Sequence, residues 1–125
     1  METNKEILDE FGKIVVKSVF DDNFSYLKQI LEGKTRWNQG EKYTNVFQKL
    51  ERKDRKIIEE FFLEHLKTNI FSFLSIFEDY DKFKIIYENN NQKVNLVEIS
   101  EMLKAEPIIE NGWIERFSKE LKKKE

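Results

Sequence analysis

Cysteine is absent from this chain of 125 residues, and its absence removes disulfides, thiolate metal sites and cysteine nucleophiles together. Stability must then come from packing, and a reducing compartment is the expected setting. Glycine is scarce, and Gly12, Gly33, Gly40 and Gly112 are scattered, so neither the GxGxxG spacing nor a P-loop exists to cradle phosphate. The single histidine, His65, would have to serve any nucleophile triad beside Ser72 or Ser75, and no strand-turn-helix elbow surrounds either serine. An excess of one charge sign is also lacking. The 22 basic and 24 acidic residues leave a net charge of −2, a field that neither gathers nor strongly repels nucleic acid or membrane. No long apolar run occurs: IFSFLSIF at 70–77 is interrupted by serines and too short to span a bilayer. The opening METNKEILDEFGK has no basic stretch followed by an apolar one, so the expected location is the cytoplasm, with no membrane partner.

What the chain does have is 39% hydrophobic and 37% charged residues, with eleven Phe against two Met and one Pro. This mixture supports one ring-rich core under a heavily charged exterior. No repeat, low-complexity tract or linker divides the sequence, so residues 1–125 read as a single domain.

Near the N-terminus, Ile7, Leu8, Phe11, Ile14, Val15 and Val19 share one helical face. Phe20, Phe24, Leu27 and Leu31 keep the same period about half a turn away. A straight helix cannot aim both stripes at one core. The spacing therefore predicts a break or sharp kink near Asp21–Asp22, where a carboxylate would cap a new helix, with one long helix touching different elements as the alternative. Gly33 is expected just beyond the second helix's end. Residues 34–42 read as a loop presenting Trp37, followed by a short helix through Tyr43, Val46, Phe47 and Leu50. A long helix over about 53–78 comes next, carrying Ile57, Ile58, Phe61, Phe62, Phe73 and Phe77 on a wide stripe that suits a central element packed on several neighbours.

Between Phe77 and Phe83 the period changes to strict alternation in FKIIYENNNQKVNLVEI. A turn centred on Asn90–Asn91 pairs Glu88 with Lys93, Tyr87 with Val94 and Ile85 with Leu96. Phe83, Ile85, Tyr87, Val94 and Leu96 then face inward, and Lys84, Glu88, Lys93 and Asn95 outward. SEMLKAEP reads as a short helix capped by Ser100 and ended by Pro107. Asn111–Gly112 is expected to turn the chain into a last helix that offers Trp113, Ile114, Phe117 and Leu121 to the core. The fold class is α+β, mainly α: a helical body of about five helices with one antiparallel β-hairpin, about 83–98, packed on it.

Chemistry is less well marked. His65, Asn69 and Ser72 form a polar streak beside the apolar stripe, able to bind a ligand or to satisfy one another as a structural ladder. Glu59, Glu60, Glu64 and His65 are metal-ligand types, but a di-metal bundle needs His three residues after Glu, and position 62 is Phe. No metal and no cofactor are expected. KTRWNQGEKY combines Lys34, Arg36, Trp37, Lys42 and Tyr43, a composition that favours cover of the core or a protein contact over a stacked base. The function expected is a small, non-enzymatic, bacterial-type protein-binding module, such as an immunity or inhibitor protein for one partner. Arg36, Trp37, Tyr43, His65 and Asn69 are the candidate binding residues. The alternative is a small-molecule-binding or sensing domain with a pocket near His65, Asn69 and Ser72. A protein partner is expected, a nucleic acid is not.

Overall fold

Thr3 opens the first helix of the computed structural model, which describes residues 1–34 and 40–123. Its hydroxyl accepts from Glu6 N and its own amide donates to the Glu6 carboxylate, both at 3.1 Å, so two free amides are satisfied at the start of α1 (Asn4–Val15). The predicted break does not occur. Residues Val16–Asp21 continue α1 as a π-helix and pass directly into α2 (Asp22–Leu31). The wider turn absorbs an extra residue and rotates the next segment by about 100°. Ile7, Leu8 and Val16 on one stripe, and Phe20, Phe24, Leu27 and Leu31 on the other, are thereby all buried. Ile14 and Val19, expected on the buried face, are exposed.

Asp21 does not cap α2, because the backbone before it is already helical. It is buried instead, accepting from Ser118 Oγ at 2.6 Å and from Lys119 N at 2.9 Å. Gly33 takes φ 76° as expected, and Lys34 N donates to Gln29 O at 2.8 Å, closing α2. Helix α3 (Glu41–Phe47) forms where the spacing of Tyr43, Val46 and Phe47 predicts a short helix, but it contains no buried residue, and Tyr43 and Val46 are exposed.

Helix α4 (Arg52–Asp79) spans 28 residues, yet buries only Leu66, Ile70 and Leu74 fully. At its end Glu78 Oε1 accepts from Lys104 N at 2.6 Å, satisfying an amide at the start of a 3-10 turn over Leu103–Ala105. Strands β1 (Ile86–Asn89) and β2 (Gln92–Asn95) form the one sheet among the described residues, antiparallel, with Tyr87 opposite Val94 and Glu88 opposite Lys93 as predicted. Leu96 N donates to Ile85 O at 3.0 Å, extending the pairing one step. The ribbon is shorter than the predicted 83–98. Phe83 lies before it and is exposed, while Asn95 Oδ1 caps a single helical turn, α5 (Leu96–Ile99). Ile85, Tyr87, Val94 and Leu96 do pack on the helices.

Ser100 caps no helix; its hydroxyl donates to Glu106 at 3.2 Å, and SEMLKAEP holds only the 3-10 turn. Asn111 takes φ 59°, and a Cβ on Gly112 would lie 2.4 Å from Glu106 O, so this turn needs both residues as they are. Helix α6 (Trp113–Phe117) stops before Leu121, which is exposed, because the backbone becomes extended at Ser118. Trp113 is fully buried, with the Phe11 ring edge-on at a centroid distance of 5.8 Å.

The first and last helices are also joined by charge. Arg116 Nη2 donates to Asp9 Oδ1 at 3.0 Å, and this bond, with Lys5 assisting, holds the Asp9 carboxyl below the usual range. Burial pushes the Glu120 carboxyl up, but Lys123 and Lys28 together outweigh it and bring its pKa below normal.

Candidate functional site

The feature the core does not use is the outward side of α4. A helix laid against one layer buries one stripe, and Leu66, Ile70 and Leu74 fill that role here. Ile57, Phe61, His65, Asn69 and Phe73 succeed one another at intervals of four residues, which places them in a single ridge winding across the opposite side. Ile57 is 62% exposed, Phe61 68%, Phe73 61% and Tyr80, at the helix end, 61%. Helix α4 does pack on several neighbours, as its wide stripe predicts, but the stripe is divided between core and solvent. Single exposed apolar residues need no explanation, whereas several large ones on one side of a helix, grouped either side of His65 and Asn69, do.

The ridge has internal order. The His65 imidazole stacks on the Phe61 ring at a centroid distance of 5.7 Å and an interplanar angle of 10°. Phe73 and Phe77 meet edge-on at 5.5 Å. Along the flank, Glu64 and Lys67 form an ion pair at 3.7 Å, as helix neighbours do.

His65, Asn69 and Ser72 are all exposed, standing in or beside this ridge. A groove of about 380 Å³ lies between α1 and β1, lined by Ile7, Glu10, Phe11, Ile85, Tyr87 and Leu96 among others. None of the three polar residues lines it. Tyr43 is exposed on α3, where Lys42 Nζ sits 5.1 Å from its ring centroid. Arg36 and Trp37 lie outside the described residues. Among the described residues, no group of three or more His, Asp or Glu side chains is placed to hold a metal ion, and no helix is long and apolar enough to cross a membrane.

Sequence reasoning named His65 and Asn69 but assigned their apolar ridge neighbours to the core. The signal was the width of the stripe: apolar positions covering half a helix need neighbours on both sides, and a chain of this length offers few. No protein-family model, curated protein or solved structure matches the chain.

Proposed function

We propose that this protein is a non-enzymatic protein-binding module that docks its partner on the outward ridge of α4, and that it acts in a bacterial cytoplasm in the manner of an immunity or inhibitor protein. The observation that carries the reading is the exposed row Ile57, Phe61, Phe73 and Tyr80 on a helix whose other side is already packed. Large exposed apolar patches on folded domains mark contact surfaces, and aromatic side chains are the residues that most often carry interface energy. His65 and Asn69, set between the rings, supply polar contacts within an otherwise apolar row.

The test is photo-crosslinking in the cells that make the protein. A benzophenone side chain at position 61 or 73 should yield discrete protein adducts, and one at position 93, on the outer ribbon face, should not. If positions 61 and 73 give no protein adduct, or no more than position 93 does, the docking reading is wrong.

A further inference from the structure

The ribbon has an open edge beside α1. Leu96 N donates to Ile85 O at 3.0 Å, and the two residues stand directly opposite each other in the register, so they form a hydrogen-bonded pair. An antiparallel ladder alternates, which turns the amides and carbonyls of Tyr87 and Asn89 toward β2 as well, and those of Ile86 and Glu88 away from it. The sheet has only these two strands, and among the described residues no hydrogen bond reaches the amide or carbonyl of Ile86 or Glu88. Ile86 is 40% exposed, and residues 85–89 all line the groove of about 380 Å³ whose other wall is Ile7, Glu10 and Phe11 of α1.

From this edge and the charges around it, we infer that the groove takes an extended peptide of alternating basic and apolar residues, added antiparallel to β1 as a third strand. Two peptide residues exchange backbone hydrogen bonds with Ile86 and Glu88. Strand β1 covers about 13 Å at 3.3 Å per residue, room for a peptide segment of the same length. The peptide side chain opposite Tyr87 falls on the side of the sheet that Tyr87 packs toward the core, so an apolar residue there meets the α1 wall. Its neighbours fall on the outer face, one of them beside Glu88.

Charge selects a cation for that place. Glu10 and Glu88 line the groove without an ion pair among the described residues, although Lys93 stands opposite Glu88 across the ribbon. The Tyr87 hydroxyl donates to Glu2, and this bond, with the charges of Glu2 and Glu10, raises its pKa, so carboxylates dominate the field over the groove. A basic peptide residue leaves Glu88 flanked by a cation on either side. Two copies of β1 joined along this edge would instead bring Glu10 and Glu88 of both chains into one seam. The site is separate from the α4 ridge and does not depend on it.

The probe is a fluorescein-labelled peptide, Thr-Lys-Val-Lys-Val-Thr, acetylated and amidated at its ends and titrated onto the full chain at low salt. Fluorescence anisotropy should show saturable binding with Kd below about 1 mM. Thr-Glu-Val-Glu-Val-Thr should bind at least about tenfold more weakly, and E10K/E88K should reverse the preference. Amide exchange followed by NMR reads the edge itself. Saturating peptide should slow the Ile86 and Glu88 amides at least about tenfold, while those of Tyr87 and Asn89, already bonded to β2, change much less. Ile86→Pro removes one edge amide and leaves the β2 pairing in place, so it should abolish binding. The same peptide methylated at both lysine amides should fail on the unaltered chain, which makes the point even if the proline variant does not fold. No saturable binding, binding that leaves the Ile86 and Glu88 amides unprotected, or a methylated peptide that binds as well as its parent overturns the inference.

Discussion

Gly12 is the residue most tightly bound to its chemistry. A Cβ there would sit 2.6 Å from three ring atoms of Trp113, a side chain with no exposure and no room to withdraw. Forcing a methyl into a filled core costs about 1–3 kcal/mol, against about 1 kcal/mol gained from alanine's helix propensity. Gly12→Ala is therefore expected to lower the urea midpoint, with a net loss of up to about 2 kcal/mol; a raised midpoint would contradict the packing described. In the sequence Gly12 is only a scarce residue within an amphipathic run. Its partner lies about a hundred positions away, beyond any local pattern, although Trp113 itself was legible as the anchor of the last turn. Asp21 tells a similar story. Helix-capping logic selects a local use for its carboxylate, and the structure spends it on Ser118 and Lys119.

At the scale of elements, the parts read correctly are those whose geometry is set by neighbours in sequence. The ribbon register follows from alternation and from two asparagines that accept left-handed backbone, with φ 48° at Asn90 and 67° at Asn91. Glycine suits the second of these positions better and β-branched residues suit it badly. Asn91→Gly is expected to stabilise the fold by about 0.5 kcal/mol and Asn91→Val to destabilise it by about 1–2 kcal/mol. Hydrogen exchange at the β1 and β2 amides would register both, and a valine variant as protected as wild type would refute this account of the turn. The join between α1 and α2 was legible as a conflict between two stripes but not in its resolution. Breaking a helix and widening one turn both correct the phase, and only the second keeps every backbone group bonded along the way. For α4 the period gave the helix but not its environment, since a stripe facing the core and an apolar stripe left in solvent have the same spacing.

For the whole molecule, the charge contacts between the first and last helices determine how the fold responds to acid. The Asp9 carboxyl has a lowered pKa in the folded state, so its contribution is complete above the unfolded value near 3.9 and is lost as pH falls through the folded one. Asp9→Asn should cost about 1 kcal/mol near pH 7, in line with a partly screened ion pair. That difference should vanish at about pH 2–3 in paired urea titrations of the two proteins. A penalty that persists undiminished at low pH would mean that the contact stabilises by packing alone. Glu120, held down by Lys28 and Lys123, adds to the same acid sensitivity from the other side of the C-terminal segment.

Asp21 and Ser118 are 97 positions apart, and Asp9 and Arg116 are 107. A ribosome adds roughly 5–20 residues per second, so the buried carboxylate and the slot beside Gly12 stand open for about 5–20 s before their partners emerge. During that interval α1 and α2 exist without the ring that fills them. The helical body is thus completed by a segment made about a hundred residues after the helices it fills, and the exposed apolar face of the nascent protein is until then larger than the one it keeps.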